Sequence, residues 1–257
     1  MMHSYKRCFS WNLPLHIDKA DDTTPYTDVI SIAFNNVLVI SQQIRLVRKY
    51  LGTDITYIVA DNSSNPEAGL AIKALCIENG VSYIRLPKSK LGRVSPSYSH
   101  AGALNWIYRK IVKKRQPDVF GFIDHDIFPI APISITLSNQ NPIYGNLRES
   151  GPYRYMWPGL SFFYYPYVAG KKLDFMPVKV KGHYLDTGGG NWRCLYDALH
   201  RDDKTHLFGA ELREGDNFYE DSFHLFDNNR WLHTINGSYW KSSRSKDKLI
   251  TTLLNKY

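Results

Sequence analysis

The chain of 257 residues carries 32 Lys plus Arg against 24 Asp plus Glu, a formal net charge of +8, and its apolar and charged shares of 43% and 22% are those of an ordinary folded protein. This composition excludes a disordered polyelectrolyte, a fibrous repeat and a disulfide-dense miniprotein. Three scattered cysteines, Cys8, Cys76 and Cys194, form no CxxC pair, so the chain reads as a reduced intracellular protein with no zinc knuckle, long enough for one large α/β domain.

Residues 1–27 are polar and irregular, with Pro14 and Pro25, and read as a lead-in. Met1 to Trp11 lacks the apolar stretch of a signal peptide, and no run approaches the ~18 apolar residues of a spanning helix. The expectation is a cytoplasmic protein, at most peripheral at a membrane. Val29 to Asn35 is a short β-rich apolar run that suits a buried parallel strand. Val39 to Leu51 follows at helical spacing, with Ile40, Ile44, Val47 and Leu51 on one face and Gly52 as the stop. Thr56 to Ala60 predicts a second strand, ending in Asp61-Asn62, and Pro66 opens a second helix. Val81 to Leu86 predicts a third strand, Ser97 to Lys114 a third helix, and Val119 to Ile123 a fourth strand. This β-α alternation specifies a parallel α/β sheet. Its polar residues gather after strands one, two and four, where open α/β sheets bind ligands.

The second half changes character. An aromatic belt runs from Tyr153 to Tyr167, followed by Asp186-Thr187-Gly188-Gly189-Gly190, a predicted helix from Asn191 to His200, and Glu220-Asp221. Phe162 and Phe163 belong to the core, whereas Trp157 is either core or a platform for a ligand. Lys241 to Lys248 is basic and polar.

Asp124-His125-Asp126 directly follows the fourth strand. Residues i and i+2 of an extended chain point the same way, and two hard carboxylates so placed suit Mg²⁺ or Mn²⁺ held together with a diphosphate. The bland alternative is a solvated acidic turn. Asp61 has its own alternative, an Asx-turn at a strand end. The three glycines of residues 188–190 allow close backbone approach to a ligand or form a plain loop. Asp186 stands immediately beside them and Asp221 lies further on, and either could serve as a helix N-cap. His233, read alone, is a structural histidine.

In the order of these motifs over most of residues 29–240, the sequence resembles the GT-A glycosyltransferases, which use nucleotide-sugar donors. The resemblance implies a mainly parallel Rossmann-like sheet flanked by helices, with a smaller mixed acceptor-side region. One domain is implied, with a nucleotide-sugar half over about 28–126, an acceptor half over about 127–240 and a basic tail over 241–257. It implies Asp126 as main metal ligand, Asp124 facing the ribose or sharing the metal, and His233 completing the site, with His224 and His183 as competing histidines. Asn35, Asp61 and Asn62 would lie at the nucleotide, and Arg93 and His100 near the phosphates. Ala101-Gly102-Ala103-Leu104-Asn105 is similar to a stretch of inverting members, without the glycine that follows there. Glu220-Asp221 matches the base of inverting members, with Asp186 beside the glycines as the rival general base, and His233 matches a histidine of retaining ones, so both stereochemistries stay open. The implied activity is transfer of a sugar from a nucleotide diphosphate sugar to a glycan or lipid-linked acceptor, dependent on Mn²⁺ or Mg²⁺, with no nucleic acid as partner. A sugar-phosphate nucleotidyltransferase would need a glycine-rich loop after the first strand, and Val29 to Ser41 has no glycine. A non-catalytic binder of anionic glycan or RNA is the remaining alternative. The basic tail (Lys241, Arg244, Lys246, Lys248) is the candidate membrane contact.

Overall fold

The computed structural model describes residues 26–52, 54–88, 95–197, 206–216, 218–235 and 246–257. Arg93, Cys8, Lys241, Arg244 and most of the predicted lead-in lie outside these residues.

Seven strands form the central sheet. β1 (Thr27–Ala33), β2 (Ile55–Asp61), β3 (Ser82–Arg85) and β4 (Val119–Asp124) are mutually parallel, in the order β3-β2-β1-β4. Helices α1 (Val37–Tyr50), α2 (Pro66–Glu78) and α3 (Pro96–Ile107) make the crossovers. Each starts on a side-chain cap: Asn36 accepts from Val39 N, Asn65 from Glu67 N and Ser95 from Tyr98 N. Pro66 and Pro96 take the first turn, where a missing N–H costs nothing. α3 continues through a π turn, Tyr108–Val112, to Arg115, close to the predicted end at Lys114.

Beyond β4 lie β5 (Ile127–Pro129), β6 (Ile143–Ser150) and the long β7 (Tyr153–Tyr164). β7 runs antiparallel to β4 and to β6, and is the one reversed strand of the sheet. β8 (Val178–Val180) and β9 (His183–Leu185) form a small hairpin. β10 (His206–Phe208) pairs parallel with β6 at the far edge. A second, antiparallel sheet has the order β11 (Ala210–Arg213), β12 (Phe223–Phe226), β13 (Trp231–His233), β5.

Of the expected helix from Asn191 to His200, residues 198–200 lie outside the described residues, and the rest is a 3₁₀ turn, Gly189–Asn191, leading into a π turn, Trp192–Tyr196. The tail also differs from its expected polar character. Asp247–Leu254 is a helix whose Ile250 and Leu254 are fully buried against Val39, Leu46, Phe128 and Leu232. Its apolar residues recur three to four apart, which the many charges just upstream obscure in the sequence.

The central sheet is covered on both faces. Ile30, Phe120, Phe122 and Phe163 pack with α3 on one side, and Val29, Val59, Ile123 and Phe162 with α1 and α2 on the other. Phe162 lies across Gly121 so closely that a Cβ there would sit 2.0 Å from the ring, so only glycine fits that position of β4. Because β1 lies between β2 and β4, the crossovers diverge at β1 and β4. The carboxyl edge there is the switch point at which such sheets open a crevice.

Candidate active site

β4 ends in Asp124, a turn holds His125 and Asp126, and β5 starts at Ile127. His125 is buried. The turn is braced from behind by Gln43, a fully buried polar residue on the apolar face of α1. Its Nε2 donates to Asp124 O at 2.8 Å and to Ile127 O at 2.6 Å, and its Oε1 accepts from Tyr57 OH at 2.6 Å. Thr234 N donates to Asp126 O at 3.0 Å.

Each carboxylate of the turn faces a histidine. Asp124 Oδ1 lies 3.1 Å from His100 Nε2, both side chains about a fifth exposed. Asp126 Oδ2 lies 3.4 Å from His233 Nε2, both about a tenth exposed. The second pair is made by strand register: β13 pairs with β5 so that His233 stands opposite Ile127. Burial works against protonation of His100, but the charge of Asp124, then of Asp186 and Asp126, outweighs it and raises the imidazole above its ordinary value. The four acidic and imidazole groups therefore share one electrostatic neighbourhood with Asp186.

Behind His233 stands His224, its cross-strand partner on β12, with Nδ1 to Nδ1 3.3 Å and the rings stacked at 5.5 Å. Burial, then the neighbouring His233 and Arg148, pushes His224 down to about 4. Its ring is neutral at ordinary pH and so can exchange one hydrogen bond with His233.

Asp186 sits at the edge of the glycine loop, where Thr187 N donates to its Oδ1 at 2.7 Å and its own N–H donates to Tyr155 OH at 3.3 Å. Gly188 has φ +90°, and a Cβ there would meet Met156 O at 2.4 Å, so the loop lies directly on β7. Asp221 is exposed at the end of a single helical turn, Phe218–Asp221. Its charge bears on Lys246, as do those of Asp126 and Glu220. Lys246, expected in the basic tail, is 1% exposed and donates to Ser222 O, Thr234 O and Ile235 O. Burial pushes its ammonium down to about 8.

The expected nucleotide contacts divide. Asn35 has φ 56° and uses its side chain internally: Nδ2 donates to Ser64 Oγ and Oδ1 accepts from Asn65 N, both at 2.9 Å. Asn62 reaches α3 by donating to Ser99 Oγ at 3.2 Å. Asp61 is fully buried. Its Oδ1 accepts from Ser63 N at 2.8 Å, while Oδ2 accepts from Tyr83 OH at 2.8 Å and from Arg85. That is the Asx-turn geometry, reinforced by an ion pair, so Asp61 shapes the loop after β2 with both oxygens engaged. Asn105 clamps the 174–175 segment, donating to Asp174 Oδ1 and accepting from Phe175 N.

Three contributors were not visible as site residues in the sequence, Gln43, Arg148 and Lys246, whereas His224 was a competing candidate for the ligand histidine. Only Gln43 carries a local signal, a polar residue inside an apolar helical stripe. Arg148 lies on β6 opposite Tyr155 of β7, its guanidinium 4.5 Å from the centre of the Trp157 ring. Trp157, 8% exposed, also lies 5.1 Å from the His233 ring.

Among the described residues no three His, Cys, Asp or Glu side chains form a complete metal cage. A hard divalent ion bound with a diphosphate does not need one, since such ions take one or two protein ligands and complete the shell with phosphate and water. Asp126 Oδ2 and His233 Nε2, 3.4 Å apart, stand near the roughly 3 Å expected of adjacent ligands at ~2.1 Å from an octahedral ion. The donor set of one carboxylate and one imidazole fits Mn²⁺ better than Mg²⁺.

No protein-family model matches this sequence, and no curated protein does. Solved structures do resemble it in part. A mannosyltransferase from Pyrobaculum calidifontis, PcManGT, in complex with GDP-Man and Mn²⁺, is 11% identical with a TM-score of 0.43, over 58% of this chain and 47% of that one. The galactosyltransferase LgtC, in complex with donor and acceptor sugar analogues, is 13% identical with a TM-score of 0.39, over 55% and 58%. The mannosyltransferase Ktr4p from S. cerevisiae is 10% identical with a TM-score of 0.40, over 60% and 61%. The matches thus span about half to three-fifths of those structures. What this chain shares with these sugar-transferring enzymes is a partial likeness of fold.

Proposed function

We propose that the protein is a metal-dependent glycosyltransferase that moves a sugar from a nucleotide diphosphate sugar to a hydroxyl of a glycan or lipid-linked acceptor. The observation that carries this reading is the pairing of Asp124 with His100 and of Asp126 with His233 at the switch point of a parallel sheet. Carboxylates held at that edge suit a diphosphate bound with its cation.

Asp126 and His233 would hold the Mn²⁺ or Mg²⁺, which supplies Lewis-acid stabilisation of charge on the departing nucleoside diphosphate. Asp124, braced by Gln43 and charge-matched to His100, orients the donor at the ribose side. His100, whose proton affinity is raised by the charges of Asp124, Asp186 and Asp126 against the effect of burial, would add positive charge at the diphosphate when protonated. Asn62 and the loop shaped by Asp61 border the base. Arg93 is proposed near the phosphates from the sequence alone. Asp186 is the preferred general base over Asp221, because it shares the neighbourhood of His100 and its carboxylate is held by Thr187, while its backbone N–H is tied to Tyr155 OH. It would take the proton of the acceptor hydroxyl as the anomeric carbon is attacked.

The test is a panel of nucleotide sugars with and without Mn²⁺, read by thermal shift and by release of nucleoside diphosphate. Stabilisation and turnover that both need the cation are expected. Stabilisation by no nucleotide sugar, with or without cation, would refute the reading.

A further inference from the structure

The geometry points to Arg148 as a recognition residue for an anionic group, phosphate or carboxylate, on the acceptor sugar. The inference rests on the glycosyltransferase reading and adds the substrate class to it.

The β6–β7 hairpin explains where Arg148 sits. β4 pairs with β7 only as far as Ile123 opposite Leu160. Residues 153–159 of β7 and 147–150 of β6 therefore extend past the carboxyl edge of β4 and form a wall above it. Arg148 projects from that wall. On one side is Tyr155, whose hydroxyl accepts from the backbone of the candidate base Asp186. On the other is Trp157, which leans against the candidate metal ligand His233. The positive charge of Arg148 is felt at both ends, at Tyr155 and at His224.

Arg148 has no carboxylate at ion-pair distance among the described residues, unlike Arg85, Arg115, Arg154, Arg213 and Arg230. Its guanidinium lies over the Trp157 indole and hydrogen-bonds the Tyr155 side chain, two contacts that hold it in place without neutralising its charge. A planar fork held in place binds a carboxylate or phosphate through two parallel hydrogen bonds. Its place beside Asp186 puts that anion on the acceptor, because the base must lie against the acceptor hydroxyl.

The experiment uses the full chain and calorimetric binding of three sugars: glucose, glucuronate and glucose 6-phosphate. UDP and GDP, each with Mn²⁺, are titrated in parallel. The wild type is expected to bind at least one anionic sugar about tenfold or more tighter than glucose, the two anionic arms separating carboxylate from phosphate. Arg148→Gln removes the preference, and Arg148→Lys restores part of it while leaving nucleoside diphosphate binding as in the wild type. If Arg148→Gln fails to fold, Arg148→Met keeps the stem packed on Trp157 and replaces it. A wild type with no anionic preference overturns the proposal. So does an Arg148→Gln variant that keeps the preference, or one whose loss falls on nucleoside diphosphate binding. An anionic preference without any nucleoside diphosphate binding leaves the Arg148 site standing and removes the glycosyltransferase reading instead.

Discussion

His233 Nε2 lies 3.4 Å from Asp126 Oδ2, although 107 positions separate them in the chain, because β13 joins the second sheet beside β5 in the register that sets His233 opposite Ile127. If this pair holds the cation, removing either member removes half of the protein's ligand set. Asp126→Ala and His233→Ala should each lower metal-dependent turnover by roughly 10²-fold or more, the scale of losing one preorganised electrostatic contact. Calorimetry of Mn²⁺ in the presence of nucleoside diphosphate should show the matching loss of affinity. Full metal-dependent turnover in Asp126→Ala would dismiss the assignment.

His224 supports the same pair from behind. An outer partner that fixes the orientation of a ligating imidazole is worth about 10–100-fold in metal affinity. His224→Phe should weaken Mn²⁺ binding within that range and leave the fold intact. An unchanged affinity would make His224 a packing residue.

The same ring makes stability fall with acid. In the folded state its value is pushed down to about 4, below the ordinary histidine value of 6.5. Above pH 6.5 the ring is neutral in both states and costs nothing. Between pH 6.5 and 4 the unfolded chain binds a proton that the folded chain excludes, so stability is lost progressively as pH falls through that window. Denaturant midpoints at pH 7.5 and 4.5 should differ more in the wild type than in His224→Phe. Equal differences would show that other groups govern the acid limb.

Gln43 braces the aspartate turn from within the core. Gln43→Leu leaves two carbonyls of the 124–127 turn without their donor and is expected to cost about 2 kcal/mol in denaturant unfolding. Because Asp124 moves with its carbonyl, turnover should fall by more than stability alone explains. Tyr57→Phe removes the bond to Gln43 Oε1 without touching the Gln43 donors and should cost about 1 kcal/mol with turnover retained. Wild-type turnover in Gln43→Leu would show that the turn holds its own shape.

Lys246 ties the start of the C-terminal helix to the segment that follows His233. Lys246→Met leaves three buried carbonyls without a charged donor, an expected loss of about 2–4 kcal/mol by chemical denaturation. A variant as stable as the wild type would mean that water replaces the ammonium there.

The first half of the fold was legible in the sequence because its signals are local. Apolar runs, caps and prolines between residues 29 and 124 identify the strands and helices, and the position of Asp124-His125-Asp126 at the end of a strand follows from the run before it. No local signal reveals that β7 reverses, that a second sheet brings His233 to Asp126, or that Arg148 overhangs the site from β6. Those follow from pairings across the sheets, where register rather than sequence neighbourhood selects the partner. Charge likewise announces its number but not its place. The opening surplus of +8 suggested a basic tail, yet Lys246 is buried under three carbonyls, Arg85 and Arg115 are spent on Asp61 and Asp28, and Arg148 lies over the Trp157 ring. The sequence by itself determined a parallel α/β half with two aspartates at a strand end. Only the tertiary structure decided which histidines face them, because desolvation and strand register act between residues that the chain keeps far apart.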